Sequence, residues 1–167
     1  MTNELRPEPE LYRALVGERR QDYYLGYFRR ALQRGYPPLS WHWPALFLGM
    51  FWLLYRKQYW WVMIYLAISW LAMLLGVAAE QAAPGMGNLV WLTGTIGFQY
   101  IWFPLNANAI YFRWAQSQVQ GARENNPGNQ AAQIAWLETR GGVNVAGPWI
   151  LIGCFFLLVA LLGAPPE

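Results

Sequence analysis

The chain has 167 residues, one domain's worth, with a formal net charge of +3. Apolar residues make up 56% and charged ones only 13%, about half the charged share of a soluble globular domain. A single cysteine, Cys154, excludes an intrachain disulfide or a cysteine metal cluster, and so modest a basic excess speaks against a nucleic-acid groove. Eleven Trp and ten Tyr favour membrane–water interfaces, where the ring lies in apolar matter and its polar tip stays wet.

In chain order, residues 1–9 ("MTNELRPEP") predict a flexible tail. Residues 10–40 predict an amphipathic helix and a Pro turn: Leu11/Tyr12, Leu15/Val16, Tyr23/Tyr24, Tyr27/Phe28 and Ala31/Leu32 recur at spacings of four. Arg19 and Arg20 interrupt that stripe, and Gly17 and Gly26 weaken the helix. The stripe suits either an interfacial helix with its basic end on anionic headgroups or a soluble helix packed on the protein's own loops. Pro37 and Pro38 end it. No apolar h-region stands in the first forty residues, so membrane entry is expected to rely on internal segments.

Residues 41–57 ("WHWPALFLGMFWLLYRK") are apolar for thirteen residues, which rise only about 20 Å as a helix against roughly 30 Å of hydrocarbon. Residues 58–79 predict a first transmembrane helix, 80–88 a periplasmic turn, and 89–112 a second span kinked at Pro104. Residues 113–142 predict a cytoplasmic loop and a short helix. Residues 143–162 predict a third span, and 163–167 a periplasmic stub.

Charge decides the topology. Seven Arg precede residue 41, Arg56 and Lys57 follow the short segment, and three Arg lie in 106–142; the turn at 80–88 and the carboxyl stub have no base. If 41–57 crossed the bilayer, basic clusters would face both compartments, against the positive-inside rule. The expected fold is therefore an all-α integral membrane protein. It has three transmembrane helices, a short re-entrant or interfacial helix and an N-terminal amphipathic helix. Its amino end is cytoplasmic and its carboxyl end periplasmic.

Tyr23–Tyr24, then Trp43, Ala45, Gly49, Trp52, Tyr55, Arg56, Lys57 and Tyr59, and later Asn108 with Tyr111, carry a family resemblance over roughly residues 20–115. The sequence resembles a bacterial inner-membrane family of unknown function with an Asn-Trp-x-Ala…Gly-x-x-Trp-x-x-Tyr-Arg-Lys-x-Tyr signature. His42 replaces the Asn here. The resemblance implies a small integral protein of the inner (cytoplasmic) membrane and supplies no activity.

His42, between Trp41 and Trp43, has two readings. It can bind a haem or chlorophyll metal with the tryptophans packed on the macrocycle, or it can cap a helix or meet a headgroup. Pro44, suited to a first helical turn, favours the cap. Arg56 and Lys57 are candidate lipid-headgroup ligands that also complement a helix dipole. Asn106, Asn108 and Tyr111 lie near the exit of the second span, the last two on one face, suited to binding a ligand headgroup or, ranked first, to bonding neighbouring helices or the loop. Gly94 and Gly97, with Thr93 and Thr95, form a small-residue packing face. Trp52, Trp60, Trp61, Trp91 and Trp102 are candidate partner contacts.

No Asp, Glu, Lys or Arg falls inside the three proposed spans, so pumps and ion-coupled transporters are disfavoured. Phosphate-loop, zinc-protease and triad motifs are absent from the sequence. The expectation is a non-catalytic accessory or scaffold subunit of an inner-membrane complex, respiratory or photosynthetic by analogy, acting through helix packing and lipid contacts. Its partners are membrane lipids and other integral membrane proteins, with no nucleic acid. No cofactor is expected beyond a bound lipid, quinone or pigment. The alternative is a membrane binding module for a pigment, quinone, haem or lipid centred on His42. A small channel lined by Thr93, Gln99 and Tyr100 ranks below both.

Overall fold

The computed structural model describes residues 9–162. The tail before Pro9 and the stub 163–167 lie outside the described residues. All the described regular structure is helical.

The amino-terminal stripe folds as two helices instead of one, α1 (Pro9–Val16) and α2 (Gln21–Arg34). The break falls where the apolar repeat lapses: Gly17 (φ 69°) and Arg20 (φ 58°) both take left-handed backbone. Each helix then buries its apolar face, Leu11, Tyr12, Leu15 and Val16 on α1 and Tyr24, Tyr27, Phe28 and Ala31 on α2. These apolar faces pack on the protein itself.

Residues 43–55 form two short helices, α3 (Trp43–Leu48) and α4 (Met50–Tyr55), with Gly49 between them. Gly49 has φ 52° and ψ −126°, a conformation open in practice only to glycine, and a Cβ there would meet the Tyr65 hydroxyl at 2.9 Å. The break folds the segment back on itself. His42, at its start, bonds the hydroxyl of Tyr24, and Arg56, at its end, lies over the ring of the same tyrosine. A straight helix of this length would hold its ends about 20 Å apart.

Next comes α5 (Tyr59–Ala82), a 24-residue helix of about 36 Å. It pairs with α6 (Gly87–Thr95), a seven-residue π-helical stretch (Ile96–Trp102) and the start of α7 (Phe103–Asn125). The contacts run antiparallel: Gly76 meets Trp91, Ala72 meets Gly94, Ser69 meets Gln99, and Tyr65 meets Phe103. The closest approach is at the turn, where a Cβ on Gly76 would lie 2.8 Å from Trp91 Cβ and 3.0 Å from the Gly87 carbonyl oxygen. Glu80 closes that turn by accepting the N–H groups of Gly85 and Gly87 at 3.0 and 2.9 Å.

Where the sequence predicts a kink at Pro104, a π-helical stretch stands just before it. Proline lacks an N–H and its ring collides with the carbonyl four residues back. A wider turn relieves that collision, and Phe103 N–H reaches Phe98 O, five residues back.

The loop expected from residue 113 is helix as far as Asn125. Its signal is the buried series Phe112, Ala115, Val119 and Ala122, spaced three and four apart on α7. A turn leads to α8 (Gln130–Arg140), capped by the Asn129 side chain, which accepts from Ala132 N–H at 3.0 Å. The main core lies where α1, α2, α7 and α8 meet. The last element, α9 (Ala146–Leu162), is apolar throughout and, among the described residues, packs only on α4, leaving Trp149 69% and Phe156 65% exposed.

Among the described residues one helix, α5, is long and apolar enough to cross a bilayer, and only 17% of its apolar window is buried. The second expected span is divided among α6, the π stretch and half of α7. The third is the shorter helix α9, of 17 residues.

Candidate functional site

Two side chains from the ends of the folded-back segment organise the junction between the helical head and the long hairpin. The first is Arg56. The sequence places it after an apolar run, where a base is expected to reach headgroups, but it is 2% exposed. Its fork turns inward because the α1–α2 loop offers main-chain carbonyls: Nη2 donates to Arg19 O at 2.9 Å and Nη1 to Val16 O at 3.4 Å. The guanidinium plane lies 4.4 Å from the Tyr24 ring centroid and 5.3 Å from that of Tyr111. A desolvated cation over an aromatic face is worth about 2 kcal/mol. Inside this cage Arg56 Nε and the Tyr111 hydroxyl have no partner. Nearby Lys57 (φ 58°) directs Nζ to Thr139 O at 3.4 Å. Headgroup contact by Arg56 is thus corrected: the side chain ties the α1–α2 loop to α4 from within.

The second is His42. Its Nδ1 accepts the Ala45 N–H at 3.1 Å, capping α3. A nitrogen that accepts carries no proton, so the neutral ring keeps its proton on Nε2, which donates to the Tyr24 hydroxyl at 3.1 Å. Both ring nitrogens are engaged, and a metal would have to displace one of these bonds. Burial, with the charges of Arg56 and Arg20, pushes the pKa down from 6.5 to about 4. The ring is 4.7 Å from Trp52, which sits among the rings of Phe103 and Tyr111 at 2% exposure. Trp52 is therefore a core residue, which corrects the expectation of a partner contact.

The cluster has a second tier. Asn108, fully buried, donates to the hydroxyls of Tyr23 and Ser40, both at 2.8 Å. Tyr111 shares its helix face and stacks on Trp114 at 5.5 Å, while its edge meets Tyr24 at 4.8 Å. The main chain joins the same level, with His42 N–H donating to Pro104 O at 3.1 Å. Burial raises the Tyr24 pKa above 10.0, with Arg56 opposing. The arrangement is a charged, hydrogen-bonded clasp whose His42, Arg56 and Asn108 side chains are buried, while Tyr23 reaches the surface. It suits holding a geometry.

His42, Arg56, Trp52, Asn108 and Tyr111 thus come together, whereas the other residues singled out do not. Trp41 and Trp43 lie outside the clasp, 39% and 61% exposed. Trp60 is exposed, Trp61 packs against the core edge, Trp91 backs Gly76, and Trp102 stacks on Phe98 at 5.7 Å. A Cβ on Gly94 would touch Ala72 at 3.4 Å, while Gly97 faces open space. Of the channel candidates, Gln99 donates to Ser69 Oγ at 3.4 Å, and Thr93 and Tyr100 are exposed. Asn106 is bonded back to Trp102 O. Tyr24 and Arg20 were not among the candidates. The paired tyrosines were the one available signal for the first, and the lapse in the stripe for the second.

A family model described as "Protein of unknown function (DUF2628)" matches residues 18–116. That stretch holds every member of the clasp except the Val16 carbonyl. No curated protein and no solved structure matches the chain. The match covers more than half of the 167 residues, and the chain belongs to the DUF2628 family.

Proposed function

We propose that this DUF2628 member is a non-catalytic accessory or scaffold subunit of a bacterial inner-membrane complex. In this reading α5, the α6–π–α7 run and α9 are three spans, and the folded-back 42–56 segment enters and leaves on the cytoplasmic side. The helical head, built from α1, α2, α8 and the end of α7, faces the cytoplasm with the basic clusters.

The observation that carries the reading is the uncovered apolar surface of the long helices. Five-sixths of the apolar window of α5 is not buried, and among the described residues α9 has a single neighbouring helix. Uncovered surface of that extent marks contact with lipid or protein. The sequence adds support: residues 87–112 carry no Asp, Glu, Lys, Arg or His. The clasp fits a positioning role better than a catalytic one.

The experiment is native electrophoresis of membranes dissolved in mild detergent, with Cys154 on α9 as an internal reporter. The expected result is migration well above 19.3 kDa, and Cys154 that reacts with a lipid-soluble maleimide and resists a water-soluble one. Release of the chain by alkaline carbonate wash, or migration as a lone monomer, overturns the proposal.

A further inference from the structure

On the outer side of the clasp lies a cavity of about 530 Å³. Arg20 and Tyr23 line it together with the apolar Trp41, Trp43, Phe47 and Leu48. The apolar lining is exposed: Phe47 is 76% and Trp43 61% exposed, the two rings stacked at 6.0 Å. The charge in the lining is positive: among the described residues Arg20 is its one charged residue, and His42 lines it as a neutral ring. Glu18, two residues before Arg20, lines a different cavity with Glu10 and Glu138, and Asp22 is not part of this wall.

We propose that this cavity seats the headgroup and upper acyl chain of an anionic phospholipid. A phosphodiester meets three needs at once. Arg20 supplies a planar fork for its oxygens. Tyr23, which accepts from the buried Asn108, keeps its own phenolic proton to donate outward. Trp41 and Trp43 cover the glycerol region as interfacial indoles do, and the chains leave over Phe47 and Leu48. The seat is preorganised from inside: Arg56 holds the carbonyl of Arg19, which fixes Arg20 in its left-handed conformation at the rim. The base that meets lipid is thus Arg20, held in place by the buried Arg56. The inference rests on the membrane reading above.

The test uses the full chain, floated with phosphatidylcholine vesicles with or without phosphatidylglycerol, and native mass spectrometry from mild detergent. The expected result is flotation with both vesicles and retention of phosphatidylglycerol over phosphatidylcholine by about tenfold. Arg20→Gln should remove most of that preference, Trp43→Ala should reduce retention, and Arg34→Gln on the far end of α2 should leave it unchanged. Helix content by circular dichroism should be the same in all three. Failure to float with either vesicle defeats the membrane reading itself. Flotation with a preference that Arg20→Gln leaves intact defeats the seat alone. Displacement of the lipid by millimolar inorganic phosphate overturns the proposal in favour of a free-anion site.

Discussion

Lowering the pH should loosen this protein through one residue. His42 is neutral in the folded state, with its pKa depressed from 6.5 to about 4 by burial and the two arginines. Unfolding exposes the ring, which then takes up a proton wherever the pH is below 6.5. Between the two values the unfolded state binds more protons, so stability rises with pH there. It is complete above 6.5 and falls as pH drops toward 4, below which both states are protonated. At about pH 5 the loss is about 2 kcal/mol, from ~1.36 kcal/mol per unit of separation. The assay is denaturant unfolding in mild detergent between about pH 7.5 and pH 5, followed by tryptophan fluorescence. His42→Asn is the informative partner, because an Asn oxygen caps a helix as well as the imidazole does and does not titrate. The variant should fold with near-parental stability at neutral pH and show a much flatter dependence. An unchanged slope in His42→Asn would refute the reasoning and move the titration elsewhere.

Other substitutions probe the rest of the clasp and the hairpin. Arg56→Gln strands the Val16 and Arg19 carbonyls and removes the cation from between Tyr24 and Tyr111, so a loss of about 3 kcal/mol is expected by the same unfolding assay. Arg56→Lys keeps the charge without the fork and should recover less than half. Gly76→Leu forces α5 and α6 apart at Trp91 and Gly87, costing about 2 kcal/mol, and should weaken a disulfide engineered between positions 72 and 94, read on a non-reducing gel. Gly49→Ala should destabilise by about 2 kcal/mol from backbone strain. Tyr65→Phe in the same chain should restore only the small part due to the hydroxyl contact.

Much of the helical layout was legible because it rests on local pattern. The charge-free run of α5, the proline in the first turn of α3 and the shared face of Asn108 and Tyr111 all follow from residue spacing. The self-packed reading of the amino-terminal stripe was available beside the interfacial one, and the broken repeat at Arg19–Arg20 marked the place where two helices meet. The extension of α7 to Asn125 was also written in its apolar spacing, but polar residues between Arg113 and Asn125 hid it. What spacing could not disclose is where Arg56 points. A base after an apolar run is drawn to water or headgroups unless something covers it, and the cover comes from carbonyls forty and thirty-seven residues earlier in the chain. The same long-range packing turned Trp52 inward. The π stretch escaped notice for another reason: it answers a steric conflict at Pro104 that has several solutions, and only the packing against Tyr65 selects one.

The convergence of His42 and Arg56 on one tyrosine also has a bearing on synthesis. Tyr24 belongs to the part of the chain that leaves the ribosome before either of them, and elongation adds only about 5–20 residues per second. Tyr24 is therefore already present when the apolar segment emerges, and it can meet first the imidazole and then the guanidinium. The two ends of that segment are thus gathered on a residue synthesised before them.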